Sequence, residues 1–509
     1  MNLGTLFARH ARYRPDHPAL VFEDHRLTWR AFNERINRLA NALLKLGIKR
    51  GDKIATMLPN CLELLEIYWA AAKTGAVVVP LSTMLRPVAL KSLLNDSDSA
   101  LVFSDSTFLE SLESIRKDLS AVQTEGYILT DRSGQPGYQY YYDLVGDADA
   151  GEPQGIEISD FDEFNIMYSS GTTGMPKGIV HNHYIRCMYG ACFASAYRMT
   201  PETVTMHAGA IVFNGAFVDL MPTIFVGGTY VLLREFEPVS YIETVEREKV
   251  THVLMVPAQI VALLNAPNFS PDRLASLEMI LSLGAPLLME HKERLTKALP
   301  GRFYELYGLT EGFVTVLDKY DYEIKPQSVG TPPPLFEMKI LDERSEELPP
   351  GQVGEICGRG PILMTGYYKR PDLTEQAIVD GWLHSGDMGY VDEDGFLYLV
   401  DRKKDMIISG GVNVYPRDIE EVVAQHPAVR EVAVFGVPHD KWGETPLAAV
   451  TLVAGTETTE NDLKSWINER VEAKFQRVSS VVIMEEFPRN VAGKVLKREM
   501  RKPYWEGRA

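Results

Sequence analysis

The sequence predicts an α/β fold with a large N-terminal domain of layered α/β sheets, a β-rich subdomain, and a small α+β C-terminal domain. Three observations support this. The first part of the chain alternates amphipathic helical patterns with short β-branched runs. After Ser328, proline and glycine punctuate shorter strand-like runs. From Pro416 to Ala509, helix and strand patterns alternate within a segment long enough to fold as its own unit.

The N-terminal patterns predict a layered domain with largely parallel strands. LTWRAFNERINRLANALLKLGI places apolar residues three and four apart, which predicts an amphipathic helix that stops near Gly47. KIATMLP and AVVVPLS are short apolar runs followed by breakers, so both are predicted to be buried strands. THVLMVP and LEMILSLGAP continue the alternation of strand and helix.

The C-terminal part begins with a predicted hairpin and a charged joint. WLHSGDMGYVDEDGFLYLVDRKKDMI predicts two strands that turn at Asp394-Gly395. We place the domain boundary in DRKKD, with an N-terminal domain at 1–400, a hinge at 401–405 and a C-terminal domain at 406–509. Within the last of these, DIEEVVAQH and ENDLKSWINERVEAKF predict helices, whereas VREVAVFGVP, PLAAVTLV and SSVVIMEEF predict strands.

Composition narrows the class of protein. The chain has 509 residues, is 45% apolar and carries a formal net charge of −17, which disfavours a nucleic-acid partner because such partners usually need a basic face. The four cysteines form no CxxC pair, which disfavours structural zinc and a disulfide framework. The most apolar stretch, LMPTIFVGGTYVLL, is interrupted by Pro222 and Gly227-Gly228. We therefore expect no membrane span and a cytoplasmic location.

The segment YSSGTTGMPKG combines hydroxyls, glycines and a lysine. FNIMYSS reads as a strand and HNHYIRCMYGACFASAYR as a helix, so the segment is predicted to be a strand-to-helix loop. Backbone N–H groups in such a loop can converge on an anion. It lacks the Gly-Lys-Ser/Thr end of a Walker loop and the Gly-x-Gly-x-x-Gly dinucleotide pattern. Taken alone, it fits a phosphate-binding loop or a Ser/Thr/Gly surface turn.

Three further segments carry chemically useful side chains. YELYGLTEG offers the Thr310 hydroxyl and the Glu311 carboxylate, a suitable Mg²⁺ ligand beside phosphates, although the string also fits a helix start capped by Thr310. HSGDMGY offers Asp387, as an acceptor for ribose hydroxyls or as a turn aspartate. PRNVAGKVLKREM offers Lys494, as a catalytic cation or as part of a solvated basic helix.

In their order along the chain these motifs resemble the adenylate-forming superfamily of acyl-CoA synthetases, nonribosomal-peptide adenylation domains and beetle luciferases. The resemblance covers essentially the whole length. It rests on YSSGTTGMPKG, LSLGAPL, YELYGLTEG, SVGTP, GEICGRGP, GWLHSGDMGYVDEDGFLYLVDRKKD and PRNVAGKVLKR. It implies a mobile C-terminal lid on a hinge, ATP and Mg²⁺ as cofactors, coenzyme A as co-substrate and a small carboxylic acid as partner. Homo-oligomerisation stays open.

The resemblance also implies roles for individual residues. The loop from Ser169 to Lys177 would hold the β- and γ-phosphates, Tyr307 would stack on adenine, and Lys494 would be the adenylation lysine. The implied ATP contacts are Ser169, Ser170, Gly171, Thr172, Thr173, Gly174, Lys177, Gly284, Ala285, Pro286, Glu305, Leu306, Tyr307, Gly308, Asp387 and Arg402. The implied catalytic residues are Lys494, Thr310 and Glu311, with Glu311 as the metal ligand and Lys404 at the hinge.

Two departures from the family pattern concern the acid and the acceptor. Many relatives have a Phe-His pair at the acyl site, where this chain has Phe213-Asn214-Gly215, and many have Tyr-Lys-x-Pro late in the lid, where it reads FQRV. The implied acyl-pocket residues are Phe213, Asn214, Val256 and Phe313, and the implied CoA contacts are Gly410, Gly411, Trp442, Phe475 and Arg477. The acid is expected to be a fatty or other aliphatic or aryl monocarboxylate. The alternative is a stand-alone adenylating enzyme that passes the acyl group to a carrier-protein thiol or another acceptor.

Overall fold

The computed structural model describes residues 2–131, 134–169, 176–402, 405–409, 412–471, 473–489 and 495–506. The chain divides into two compact units. The first comprises Met1–Glu337 and Gly358–Leu383, and the second comprises Met338–Cys357 and His384–Ala509. The β-rich segment is therefore divided: Met338–Cys357 groups with the C-terminal residues, and Gly358–Leu383 groups with the N-terminal ones. The hinge at 401–405 stays a prediction.

Helices and strands alternate along the described residues. The helices are α1 Leu3–Tyr13, α2 Trp29–Lys45, α3 Leu62–Thr74, α4 Pro87–Asp96, α5 Leu109–Ile115, α6 Tyr141–Gly146, α7 His183–Ala196, α8 Phe217–Val226, α9 Pro238–Glu248, α10 Pro257–Leu264, α11 Met289–Ala298, α12 Asp321–Ile324, α13 Pro371–Ala377, α14 Pro416–Val423, α15 Glu460–Arg470 and α16 Lys497–Trp505.

The strands are short, as expected for a layered α/β protein. They are β1 Pro18–Phe22, β2 His25–Thr28, β3 Lys53–Met57, β4 Val77–Pro80, β5 Ser99–Ser104, β6 Tyr127–Leu129, β7 Gln139–Tyr140, β8 Glu163–Ser169, β9 Lys177–Asn182, β10 Val204–His207, β11 Thr229–Leu232, β12 His252–Met255, β13 Met279–Leu283, β14 Phe303–Gly308, β15 Val314–Leu317, β16 Glu337–Leu341, β17 Gly354–Arg359, β18 Gly366–Tyr367, β19 Ile378–Val379, β20 Trp382–Val391, β21 Leu397–Arg402, β22 Ile407–Ser409, β23 Val412–Val414, β24 Val429–His439, β25 Gly443–Leu452 and β26 Ser480–Ile483.

Two eight-stranded, largely parallel sheets organise the first unit, which confirms the predicted fold class. One has the order β15-β14-β13-β12-β10-β11-β1-β2 and the other β18-β9-β8-β4-β3-β5-β6-β7. In the first, β14 to β1 are parallel and only the outer strands β15 and β2 are antiparallel. Apolar residues on their strands, such as Val253 and Ile280 in the first and Val102 and Ile166 in the second, are fully or almost fully buried.

The predicted helix after Leu27 is α2, and its ends follow from local chemistry. The Thr28 hydroxyl accepts a hydrogen bond from the Ala31 N–H, which satisfies one of the unpaired donors of the first turn. Its apolar stripe, including Phe32, Ile36 and Leu39, is buried. Beyond the helix, Gly47 adopts φ +86°, a left-handed conformation that glycine takes without strain.

A five-stranded sheet contains β16, β17, β19, β20 and β21, and forms the predicted β-rich subdomain. Strands β20 and β21 are antiparallel, with Tyr390 opposite Tyr398. Gly395 has φ +84°, and Asp392 accepts hydrogen bonds from the backbone of the turn. The hairpin predicted at Asp394-Gly395 is therefore confirmed. The division between the two units passes through strands β16, β17 and β20 of this sheet.

The last sheet lies in the second unit and has the order β23-β22-β25-β24, with β26 parallel to β25. Helices α14 and α15 pack on it through residues such as Ile419 and Ile467. The five elements predicted for this segment are all present. Among the described residues, no helix combines the length and apolar character needed to cross a bilayer.

One local prediction was wrong. Lys177–Asn182 forms strand β9, antiparallel to β8, and α7 begins only at His183 with Asn182 as its N-cap. The Ser/Thr/Gly segment therefore connects two strands and does not connect a strand to a helix. Pairing with β8 on one side and β18 on the other holds residues 177–182 extended.

Candidate active site

Neighbouring parallel strands of the first sheet end at one edge, and several predicted site residues follow those ends. Strand β12 is followed by Val256, β13 by Gly284, and β14 ends at Gly308. Strand β10, parallel to β12, leads through a short loop to Phe213 and Asn214. Ligands of open α/β sheets bind outside the carboxyl ends of such strands.

Gly284, Ala285 and Pro286, which are predicted ATP contacts, lie in a turn that is open to solvent. Gly284 has φ +89°, and a Cβ atom at this position would lie 3.8 Å from Val256 Cγ1. Ala285 and Pro286 are exposed, as is Gly284. Val256 is 40% exposed. The turn and Val256 therefore form one accessible wall.

YELYGLTEG forms a strand and a tight turn, so the alternative of a helix capped by Thr310 was wrong. Strand β14 pairs with β15 so that Tyr307 lies opposite Thr315. Between them, the Leu309 N–H donates to the Phe313 carbonyl. Gly312 has φ +113°, and a Cβ atom there would lie 2.1 Å from the Ile362 carbonyl oxygen. This close backbone approach requires glycine.

Lys177 and Glu311 are brought together by Tyr367, a residue that the sequence analysis did not identify. The Tyr367 hydroxyl donates to Glu311 Oε1 at 2.9 Å, and Lys177 Nζ lies 4.7 Å from the centre of the Tyr367 ring. Burial and the nearby carboxylate raise the pKa of Tyr367, so its hydroxyl keeps its proton. Nothing in the string TGYYKR marks this tyrosine, because its partners lie far away in sequence.

The structure describes only the ends of the predicted phosphate loop. Ser169 and Lys177 lie opposite each other where β8 and β9 pair. Ser170, Gly171, Thr172, Thr173 and Gly174 lie outside the described residues. The loop is thus anchored at a point where Lys177 is linked to Glu311 through Tyr367.

The predicted acyl-pocket residues differ in their surroundings. Asn214 begins a 3₁₀ turn, and its Nδ2 donates to the Tyr189 hydroxyl at 3.3 Å. Its Oδ1 is buried and has no hydrogen-bond partner among the described residues. Phe213 is half-buried beside it. Phe313 is fully buried. Its ring packs directly against Gly358, where an added Cβ atom would lie 2.1 Å from Phe313 Cγ.

Glu305, predicted as an ATP contact, forms a buried ion pair. Lys292 Nζ on α11 donates to Glu305 Oε2 at 2.5 Å, and both residues are about 5% exposed. Leu306 on the same strand is buried, whereas Gly308 is exposed. The ion pair fixes β14 to α11 behind the turn that carries Thr310.

Asp387 and Arg402 belong to the second unit, where they lie opposite each other in the β20–β21 register. Asp387 is 9% exposed. The Asp387 N–H donates to Ser385 Oγ, which in turn donates to the Ile356 carbonyl. These contacts hold the predicted ribose carboxylate on a rigid strand.

The predicted CoA contacts that the structure describes are exposed on the second unit. Trp442 is 46% exposed in the β24–β25 turn under Lys441, Phe475 is 42% exposed, and Arg477 is exposed. Lys404, Gly410, Gly411 and Lys494 lie outside the described residues. The flanks of the Lys494 segment, Arg489 and Val495, form an antiparallel bridge.

The Glu311 carboxylate suits Mg²⁺ better than a metal ion that takes three or more ligands from the protein. Among the described residues, no three His, Cys, Asp or Glu side chains are grouped as metal ligands. Glu311 would supply one hard oxygen ligand beside the predicted phosphate loop, and Mg²⁺ is commonly held by one or two carboxylates together with phosphates and waters.

Two family models match the chain: "AMP-binding enzyme" at residues 7–368 and "AMP-binding enzyme C-terminal domain" at residues 418–494. A feruloyl-CoA synthase of Amycolatopsis sp is 33% identical over 99% of both chains. A fatty acid–acyl-carrier-protein ligase of Streptomyces coeruleorubidus is 30% identical over 97% of this chain and 95% of that protein. The crystal structure of ATP-bound MatB from Rhodopseudomonas palustris superposes with a TM-score of 0.89, at 28% identity over 99% of each chain.

Proposed function

The chain belongs to the AMP-binding enzyme family as an AMP-forming acid–thiol ligase, and we propose that it is a carboxylic acid–CoA ligase. In the first step a carboxylate oxygen attacks the α-phosphorus of ATP, forming acyl-AMP and releasing pyrophosphate. In the second step the thiol of coenzyme A attacks the acyl carbon, forming acyl-CoA and releasing AMP and a proton.

One observation carries this proposal. Turns after neighbouring parallel strands present Val256, Gly284 and Glu311 at one edge of the first sheet, and Tyr367 links Glu311 to Lys177. The two ends of the predicted phosphate loop, a carboxylate and an open hydrophobic wall thus belong to the first unit. This combination suits nucleotide binding next to an acyl group.

The proposed roles follow from the chemistry of each side chain. The loop containing Ser170–Gly174 and Lys177 would hold the departing pyrophosphate, and Tyr307 would stack on adenine. The Thr310 hydroxyl would donate to the α-phosphate. Glu311 would hold Mg²⁺, which would neutralise charge on the phosphate oxygens. Asp387 would accept from the ribose hydroxyls and Arg402 would contact ribose or phosphate.

The binding site of the acceptor thiol is proposed to be formed by the mobile C-terminal lid. Rotation about Lys404 would replace Lys494 by the loop at Gly410-Gly411, beside which the pantetheine chain would pass. Trp442, Phe475 and Arg477 are exposed, as contacts for a CoA nucleotide must be. A carrier-protein thiol is the second candidate acceptor, because one relative is a fatty acid–acyl-carrier-protein ligase.

The acid is proposed to be an aryl or aliphatic monocarboxylate. The feruloyl-CoA synthase and the fatty acid ligase among the relatives support these two classes. ATP–pyrophosphate exchange measured across saturated fatty acids and cinnamic and benzoic acids tests adenylation. Mass analysis of the thioester, with coenzyme A and with a phosphopantetheinylated carrier protein offered in parallel, tests the acceptor. Exchange with none of these acids, or a thioester on the carrier protein alone, would contradict the proposal.

Replacing Asn214 is expected to change the choice of acid without changing the pH dependence. An amide has no useful basicity, so Asn214 can shape the pocket but cannot act as a general base. Asn214→Ala should alter relative kcat/KM among acids of increasing bulk by roughly tenfold. Asn214→His should add a titration at about 6.5, the unperturbed pKa of histidine, to the pH profile of adenylation.

Tyr189→Phe is compared alongside, because it removes the hydroxyl that accepts from Asn214 Nδ2 and keeps the ring that lies against Arg186. Adenylation rate against pH is measured for three acids in all four proteins. An unchanged acid profile in both Asn214 variants would mean that Asn214 serves only the 3₁₀ turn.

A further inference from the structure

Three fully buried polar side chains form a hydrogen-bonded cluster that reaches the Thr310 carbonyl. Arg186 on α7, His181 on β9 and Asn165 on β8 are each 0% exposed. Arg186 Nε donates to Asn165 Oδ1 at 2.8 Å, and Arg186 Nη2 lies 3.2 Å from His181 Nδ1. His181 Nε2 lies 2.9 Å from the Thr310 carbonyl oxygen. Neither the sequence motifs nor the proposed mechanism uses these three residues.

The contacts fix the tautomer of His181. A guanidinium group can only donate, so Nδ1 must accept from Arg186 and the ring proton must lie on Nε2. Nε2 then donates to the Thr310 carbonyl. Burial and the charge of Arg186 hold the pKa of His181 well below its usual value, so the ring stays neutral. The arginine, the imidazole and the 310–311 peptide form one polarised chain of hydrogen bonds.

Within the described part of the chain, the buried charge of Arg186 is stabilised only by aromatic rings and neutral acceptors. Its guanidinium lies 4.2 Å from the Phe217 ring centre and 4.7 Å from that of Tyr189. Burial lowers the pKa of Arg186 to about 10, so the group is still charged at neutral pH. Among the described residues no carboxylate pairs with it, and Nη1 has no hydrogen-bond partner. An unpaired buried charge is costly, which makes a purely structural role a poor explanation.

We propose that Arg186 and His181 are positioning residues for adenylation. They hold the Thr310 carbonyl, and with it the orientation of the turn that presents the Thr310 hydroxyl and the Glu311 carboxylate. This inference rests on the proposed function. It predicts that the network contributes to the rate of the first half-reaction and little to ground-state binding of ATP or to the second half-reaction.

The first test compares His181→Leu with His181→Gln. The glutamine amide can accept from Arg186 and donate to the Thr310 carbonyl, whereas leucine leaves both groups without a partner. We expect His181→Leu to lower kcat for ATP–pyrophosphate exchange by roughly 10- to 100-fold, with KM for ATP within about twofold. His181→Gln should retain most of the activity, and thioester formation from presynthesised acyl-AMP should be near wild type in both.

His252→Leu is the matched control. His252 is also buried, and its Nε2 lies 2.9 Å from the carbonyl of Tyr197, away from the Thr310 turn. This variant should lower thermal stability about as much as His181→Leu and leave the exchange kinetics unchanged.

Arg186→Met separates positioning from stability. Methionine fills the space between the two rings and removes the buried charge, which offsets part of the cost of leaving Asn165 Oδ1 and His181 Nδ1 without their donor, so the midpoint of thermal unfolding should fall less than in His181→Leu. Exchange activity should fall as in His181→Leu. Two results would overturn the positioning role alone, provided that the wild-type enzyme is active. One is a parallel loss of stability and of both half-reactions in the variants. The other is unaltered exchange activity in both His181→Leu and Arg186→Met. Absence of wild-type exchange with every acid would refute the proposed function, and with it this inference.

Discussion

The Lys494→Ala variant is expected to lose about 2.7–4 kcal/mol of transition-state stabilisation in adenylation, or 10²–10³-fold in kcat, the usual effect of removing a preorganised donor aimed at developing charge. When the carboxylate attacks the α-phosphorus, negative charge collects on the bridging and non-bridging oxygens. The proposed Lys494 ammonium would meet that charge. Thioester formation from presynthesised acyl-AMP breaks no phosphate–phosphate bond, so it should be largely spared.

Lys497→Ala is the control for Lys494. Lys497 lies three residues further on at the start of α16, and its Nζ pairs with Glu420 Oε1 at 2.7 Å. Because this pair is partly exposed, its loss should lower the free energy of unfolding by no more than about 1 kcal/mol. The rates of both half-reactions should stay unchanged. Both rates are measured separately for both variants by single turnover. Equal losses in the two half-reactions of Lys494→Ala would mean that the lysine does not act in adenylation.

Regular elements were predictable because their signals are local. The amphipathic stripe of α2, its Thr28 cap and the terminating Gly47 all lie within one short window of sequence. The turn at Asp394-Gly395 is equally local. Strand β9 was missed because its apolar pair, Ile179-Val180, runs directly into a helical pattern. What keeps it extended is pairing with β8 and β18, and such non-local pairing overrides propensity.

The motifs predict the candidate site, but they do not reveal the contacts among its described residues. Tyr367 joins Lys177 to Glu311 across long stretches of chain, so no spacing rule could indicate it. Arg186 and His181 are polar residues next to a helix start, where the pattern would place them in solvent. Their burial depends on acceptors from β8 and from the turn after β14. Chemistry that is assembled from distant segments becomes visible only in three dimensions.

Gly330→Ala is expected to have the largest effect on stability. Gly330, in the SVGTP segment, has φ +86°, and a Cβ atom there would lie 2.0 Å from the Val316 carbonyl oxygen and 2.1 Å from its carbon. The left-handed conformation costs a non-glycine residue about 1–3 kcal/mol. Overpacking against a backbone that cannot rotate away adds about 1–3 kcal/mol or more. The variant should therefore unfold at a much lower temperature, because a loss of this size is a large part of typical domain stability.

Gly301→Ala is the control that measures the conformational cost without a clash. Gly301 lies in the same unit with φ +67°, but a Cβ atom there meets nothing within 4 Å, so only the conformational cost applies. The difference between the two variants in the denaturant midpoint measures the clash with Val316. Val316 lies in β15, which pairs with β14, the strand that carries Tyr307. A Gly330→Ala protein that folds at all should therefore also bind ATP more weakly. Gly330→Ala unfolding at the same denaturant concentration as Gly301→Ala would show that Val316 moves aside freely and that the segment is not held against β15.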